Sequence, residues 1–350
     1  MQINTKLPSS RLLMTLFICM LSIILLQNYN FSYSFTFNVI SVLISFTIIF
    51  LFYIPTSIIK KKTNLDFLSF ANSKTPAAIV FISAFYCIYF VYAITYFLFI
   101  YADMFVNKLN KEANIYIVTL LLLVTAVYAA YKGVNAITRY SIFIFVFTII
   151  SLLIIFSGNI SNIDFINNSF EFTSEKSNLI NNVSYFLTPS FSVVIFASVS
   201  EYTKNFKIRQ IVLTIGLTFI VFILSLFFLS FCLGDYAFQQ SYQFYLLSKT
   251  AHIGVISGIE SFYLAFVTAT VFLTISLMLT GITKSTGKSD NISIILMFAV
   301  IIAIFFVCVV RLEGLSEILL NHTVLNTLSF IGAVIVPTMY LLVYRGKMNV

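Results

Sequence analysis

Glu260 is the acid least expected where it stands, inside the apolar run Ile253 to Ile282. A carboxylate at the centre of a bilayer costs roughly 2.5–3.5 kcal/mol on insertion scales, and more without a partner. Two positions are open to it, because a helix of that length extends ~45 Å, beyond a hydrocarbon core of ~30 Å. Either it faces a wet cavity as the partner of a proton or an amine, or it lies near the interface, roughly two turns from His252, and reaches outward.

The run Val183 to Ser200 offers different chemistry. It is short, carries Ser184, Ser192 and Ser198, and is interrupted by Thr188-Pro189-Ser190. Pro189 lacks an amide hydrogen and frees a carbonyl one turn earlier, so a discontinuous helix here can turn backbone polar groups toward a substrate; a plain proline kink that binds nothing is the alternative. In the run Ala77 to Ala102, Tyr86, Tyr89, Tyr92, Tyr96 and Phe99 recur near helical spacing and give one face a row of hydroxyls. Packing or interface anchoring explains such a stripe first, above all in a chain without Trp.

Other reactive types are dispersed. His252 and His322 are too far apart in sequence to argue a metal pair, and Cys19, Cys87, Cys232 and Cys308 sit singly in apolar runs without CxxC spacing, as small core residues do. The segment Gly281 to Ser289 has the composition of a phosphate loop, but five residues rather than four separate its glycines, and a membrane run precedes it instead of a strand. An inner loop with two anchoring lysines, Lys284 and Lys288, is the better reading. No HExxH, GxSxG or paired-carboxylate motif is present; the residues point away from an enzyme and call for no metal or cofactor.

The elements that must position these residues follow from composition. Apolar residues make up 60% of the 350 and charged residues 9%, against under half and about a quarter in soluble domains. At about 20 residues per membrane helix, this suffices for roughly ten spans. The candidates are Leu12 to Leu26, Phe35 to Ile59, Ala77 to Ala102, Ile115 to Tyr131, Tyr140 to Phe156, Val183 to Ser200, Ile211 to Leu233, Ile253 to Ile282, Ile292 to Val310 and Val324 to Tyr344. The first resembles a signal peptide after Arg11, but no small-residue cleavage site follows it, so it is read as a retained helix. Weak two-residue alternation argues against a barrel.

The net charge of +8 would suggest nucleic acid in a soluble chain. With the N-terminus in the cytoplasm, fifteen of the 20 Lys and Arg fall on inner segments, so the positive-inside rule accounts for the excess and no nucleic-acid partner is needed. The long outer segment Ser157 to Asn182 divides the spans five and five, and an odd number per half reverses the second half. The chain therefore reads as a single transmembrane domain, 1–350, with a first half 1–160, an outer loop 161–182 and a second half 183–350, the arrangement of an inverted repeat.

Two segments carry a family likeness. Lys132-Gly133-Val-Asn-Ala-Ile-Thr-Arg139 precedes an apolar span, and Ser241-Tyr-Gln-Phe-Tyr-Leu-Leu-Ser-Lys249 leads through Ile253-Gly254 to Ile259-Glu260. In order along the chain these resemble the spore germination permease family, the B-type subunits of nutrient germinant receptors, within the amino acid/polyamine/organocation superfamily. The resemblance implies an all-α membrane bundle of the LeuT type, two inverted repeats of five helices, with both termini cytoplasmic. It implies a ligand site near midplane between the first, third, sixth and eighth helices, which here points to Ser22, Tyr92, Tyr96, Thr188, Ser190 and Glu260. It also implies an amino-acid-like nutrient, an A-type subunit with cytoplasmic domains, a C-type lipoprotein and the inner membrane of a dormant spore. A proton-coupled transporter of amino acids or amines, working through Glu260, is the alternative on the same fold, and a ligand-free scaffold a third. Two features depart from the family: the first span contains neither Gly nor Pro, where relatives unwind, and Thr274 stands where many relatives have lysine.

Overall fold

Hydrocarbon offers no hydrogen-bond partner to a peptide group, so each apolar run closes its backbone bonds internally as a helix. A computed structural model describes residues 7–27, 34–75, 79–109, 111–165, 176–204, 206–238, 240–253, 259–287, 292–311 and 321–344. The first two spans are α1 (Ser9–Leu26) and α2 (Phe35–Thr63), and the short α3 (Phe67–Lys74) follows. The third to fifth spans are α4 (Ile79–Met104), α5 (Ile115–Lys132) and α6 (Val134–Gly158). A broken sixth span consists of α7 (Lys176–Phe186) and α8 (Phe191–Val199), joined through a 3-10 turn at Thr188–Ser190. The seventh is α9 (Ile208–Phe228), after which the short α10 (Asp235–Phe238) and α11 (Gln243–Thr250) precede the eighth, α12 (Glu260–Ser285). The ninth is α13 (Ile292–Arg311), and the tenth joins α14 (His322–Phe330) to α15 (Val336–Tyr344) through a π-helical turn at Ile331–Ile335. Nine helices among the described residues are long and apolar enough to cross a membrane, and the bent pair makes up to 10. The protein is an all-α, multi-pass membrane protein.

Local chemistry sets the boundaries. Ser34 caps α2 by accepting from the Phe37 amide, and α2 ends after Lys60, Lys61 and Lys62 at Asn64 in the left-handed region, φ 57°. Basic residues in a last turn complement the negative end of the helix. Gly133, at φ 83°, parts α5 from α6 in a conformation costly for other residues. Asp66 caps α3 by accepting from the Ser69 amide at 2.7 Å.

The spans sort into two packed groups. In the first, α2 lies on α9 and on both halves of the broken span, and α1 lies on α9 and α8; in the second, α4, α5, α12 and α13 all pack on one another. By order these are spans one, two, six and seven, and spans three, four, eight and nine. Each member has a counterpart five places on, so the packing itself carries the five-plus-five repeat. The fifth span lies against the first, with Thr15 donating to Ser141 at 2.9 Å, and the tenth lies against the sixth, with Asn326 donating to the Ser184 carbonyl at 2.6 Å.

Three expectations are corrected. The eighth helix begins at Glu260 rather than Ile253, so this acid occupies the first turn at the end of the span, where the helix dipole favours a carboxylate, and does not lie in mid-membrane. The interval 161–182 is not all loop, because α7 starts at Lys176. The expected inner loop from Gly281 is helical as far as Ser285, so Lys284 lies in the last turn of α12. Of the four cysteines, Cys19 and Cys87 are buried as core residues, Cys232 is half-buried and Cys308 is exposed. Gly254 and Gly258, at a spacing that suits helix packing, lie outside the described residues.

In α12, Gly281 lies against α4 of its own group and α8 of the other. A Cβ on Gly281 would stand 2.8 Å from the buried Phe90 ring and 3.2 Å from Ser198 Oγ, whereas one on Gly216 in α9 would meet nothing within 4 Å. Gly281→Ala is expected to lose about 1–3 kcal/mol by overpacking, and Gly216→Ala to gain up to ~1 kcal/mol by helix propensity. Thermal unfolding of the two variants in detergent checks both signs.

Candidate functional site

The break in the sixth span takes the amide partner from the Tyr185 carbonyl and leaves the Ser184 carbonyl a 3.3 Å bond from the Leu187 amide. Pro189 has no amide to offer Tyr185, four residues back. The Tyr185 carbonyl instead receives the Gln27 side-chain amide at 3.3 Å and lies 3.0 Å from the Thr188 hydroxyl, which donates to Gln27 Oε1 at 2.6 Å. The Ser184 carbonyl receives Asn326 Nδ2. Spans one and ten thus supply the polar groups that stabilise the broken span. The Tyr185 ring stacks on His322, with centroids 3.8 Å apart and planes at 23°.

The tyrosines of α4 run along the tenth span beside this break. Tyr86 donates to the Gly332 carbonyl at 2.7 Å within the π-helical turn, Tyr89 shares a 2.9 Å hydrogen bond with Ser329, and Tyr92 donates to the Asn321 carbonyl at 3.4 Å. Tyr96, 3% exposed, is close enough to Tyr92 and Tyr185 to interact electrostatically with both. The structure therefore gathers Tyr92, Tyr96 and Thr188 in one neighbourhood, and adds Gln27, Tyr185, His322 and Asn326. Gln27 escaped notice at the end of an apolar run, and Asn326 is an isolated amide within another.

Ser190 shares the turn with Thr188, whereas Ser22 and Glu260 lie elsewhere. The first helix is continuous, and the Ser22 hydroxyl donates to the Cys19 carbonyl at 2.7 Å while standing 3.0 Å from Thr274 Oγ1 on α12. That hydroxyl pair crosses between the two helix groups. Ser190 is wholly buried in the turn, its Oγ without a hydrogen-bond partner among the described residues. Glu260 opens α12 with Oε2 likewise buried and without a hydrogen bond, near Tyr245.

The short helix α11 covers the end of the bundle where α12 begins. Tyr242, in the left-handed region at φ 61°, donates to Asp103 at the end of α4, and Tyr245 donates to the Lys108 carbonyl at 3.4 Å. A positive φ is strained for so bulky a residue and needs the surrounding contacts to hold it. Burial pushes the Tyr242 hydroxyl pKa up, and its bond to Asp103 adds to that. On the other side Asn159 donates to the Leu247 carbonyl at 2.9 Å and Asn162 to the Thr250 carbonyl at 3.0 Å, tying α11 to the end of span five.

A second cluster occupies the opposite end, where Arg11, Lys60, Lys61, Lys62, Lys132 and Lys207 also lie. Lys284, in the last turn of α12, pairs with Glu201 at the end of the sixth span and stands 3.8 Å from Asp66 Oδ2. Ser69 donates its hydroxyl to Glu201 at 2.7 Å and its amide to Asp66. Just beyond Glu201, Thr203–Lys204 pair in parallel with Leu7–Pro8, which ties the approach to α1 to the end of the sixth span. Lys284 is therefore half-buried in an ionic cluster and is not a free anchoring lysine. Nothing in the sequence joins three charges separated by more than eighty positions. Burial pushes the Asp66 carboxyl up to about 6, against the opposing pull of Lys284 and the Ser69 amide.

The fold and these paired groups define a permease-like membrane protein. Its structure is similar to that of a Na+-coupled sialic acid symporter in a substrate-bound, outward-open state, with a TM-score of 0.61 and 12% identity over 95% of this chain and 80% of that one. The fold is thus LeuT-like. The spore germination protein family matches residues 6–318, and the chain belongs to that family. No curated protein sequence matches it.

One bond between the groups allows a direct test. Tyr263 on α12 donates to the Leu25 carbonyl at 2.8 Å, a terminal carbonyl of α1. Tyr263→Phe leaves it without that donor and is expected to cost about 1–2 kcal/mol, read as a lower unfolding temperature with an unchanged elution profile.

Proposed function

We propose that this protein is the membrane subunit of a nutrient germinant receptor, which binds a small nutrient in the spore inner membrane and signals to A-type and C-type partner subunits. Family membership across residues 6–318 carries this reading. The distribution of Lys and Arg supports a cytoplasmic basic end with both termini on that side. On that orientation the cluster around Tyr92, Tyr96 and Thr188 lies in the outer half of the bundle, on the side from which a nutrient arrives. Its groups are amides, hydroxyls and aromatic faces, which suit a small polar molecule of no net charge, such as a zwitterionic amino acid. Ser190 adds a buried hydroxyl in the same turn, Ser22 a bond that must yield if the groups separate, and Glu260 an acid at the outer entrance.

Because Gln27 and Asn326 already occupy the carbonyls of the break, a ligand competes with them for Thr188 and its neighbours. Binding that prefers the conformation with those bonds exchanged shifts the bundle tenfold for each 1.4 kcal/mol of preference. A transporter is the second reading, favoured by the likeness to a symporter fold.

Three measurements separate these readings. Deleting the gene in its host is expected to abolish the response to one nutrient class, and an unchanged response to all, with no redundant paralogue, opposes the receptor. Purified protein is expected to bind one of a panel of radiolabelled amino acids, with Thr188→Val weakening that binding at least tenfold. In reconstituted vesicles the receptor reading expects binding without flux; accumulation driven by a proton gradient and abolished by Glu260→Gln establishes transport instead.

A further inference from the structure

We propose that Asp66 is a proton-binding site that sets the strength of an ionic latch between the two helix groups at the basic end. This goes beyond the receptor reading and does not depend on it.

The latch is defined by its members' places in the fold. Glu201 closes the sixth span, in one group; Lys284 closes the eighth, in the other; Asp66 and Ser69 begin α3, the connection from the second span to the third. One ammonium serves two carboxylates, and unequally. Glu201 takes the Lys284 hydrogen bond and the Ser69 hydroxyl, whereas Asp66 Oδ2 has no hydrogen bond among the described residues and meets Lys284 only at 3.8 Å. Asp66 is 0% exposed. A buried carboxylate oxygen without a hydrogen bond gains from a proton that a solvated one does not need.

The groups facing Asp66 come from every side. Lys60 at the end of α2 donates to the Asn64 carbonyl at 2.8 Å and acts electrostatically on Glu201; Tyr86 of α4 is within electrostatic reach of Asp66; Tyr202 lies under Lys284, with its ring centroid 5.4 Å from Nζ. Tyr340 of the tenth span packs on Phe67, next to Asp66. Beside the cluster a cavity of about 460 Å³, lined by Ser69, Asn72, Ser83, Lys284 and Thr286, gives a proton a wet approach.

The sign follows from comparing the latched carboxyl with a solvated one. Latched, Asp66 titrates at about 6; released to water it titrates near the usual ~3.9. The latched form therefore holds the extra proton, is favoured below about pH 4, and loses that advantage as pH rises through 6. Two pKa units correspond to a shift of about a hundredfold between latched and released forms.

The test uses the full chain in lipid nanodiscs, without its native cysteines and with Ser198→Cys as reporter. Ser198 is wholly buried on α8 against Gly281 of α12, in the turn before Glu201. Its maleimide labelling rate, divided by that of a cysteine peptide at each pH, is expected to rise up to about 25-fold from pH 4.5 to 8, with a midpoint near 6. Asp66→Asn is expected to stay low and flat across the range. Glu201→Gln gives Lys284 wholly to Asp66 and is expected to move the midpoint to lower pH. A flat profile without the Asp66 change, or a rise that persists in Asp66→Asn, overturns the proposal. If Asp66→Asn does not fold, an unmoved midpoint in Glu201→Gln overturns it equally.

Discussion

A polar group in hydrocarbon must find its partner within the protein, and the organisation of this bundle depends on how that requirement is met at one broken helix. Ending α7 at Phe186 and restarting with Pro189 releases the Tyr185 carbonyl, too costly to leave bare in lipid, and leaves the Ser184 carbonyl only the Leu187 amide at 3.3 Å. Asn326 and Gln27 satisfy them from neighbouring spans. The positions of spans one, six and ten are therefore interdependent. A molecule that takes over any of these bonds acts on three elements at once.

The same requirement fixes how the two groups are joined. Polar ties occur within the groups, as between Tyr53 and Ser192 or Tyr101 and Thr268, and others cross between them: Ser22 with Thr274, Tyr263 with the Leu25 carbonyl, and Lys284 with Glu201 and Asp66. Bonds of this kind are either made or broken, which gives a packed bundle distinct arrangements instead of continuous deformation. They are also distributed by depth. The hydroxyl pair lies within the helices, Tyr263 near one end, and the ionic cluster at the other, where water can share in its charge balance.

Placing Glu260 in the first turn of α12 changes what that acid can do. At the positive end of a helix dipole a carboxylate is stabilised without a counter-charge. Its isolation in the sequence therefore does not call for a lysine partner in the membrane, and the absence of lysine at Thr274 leaves no charge unanswered. The buried acid without a hydrogen bond for one oxygen that does lie between the helix groups is Asp66, which reads in the sequence as an ordinary helix cap.

The sequence by itself determined the class of fold, because apolar length and charge asymmetry act locally: each run either spans a bilayer or does not, and each lysine flanks a span. It located the break at Pro189 for the same reason, since a missing amide affects only the carbonyl a turn away. The tyrosine row and the Thr188-Pro189-Ser190 interruption also stand out in apolar surroundings, and the family likeness pointed within them to Tyr92, Tyr96, Thr188 and Ser190, and beyond them to Ser22 and Glu260. The sequence did not reveal that α11 covers one end, that Gln27 and Asn326 complete the break, or that Asp66, Glu201 and Lys284 meet. Those pairings join residues separated by more than eighty positions, and only the tertiary structure decided them, because burial and proximity, not residue type, determine which polar groups depend on one another.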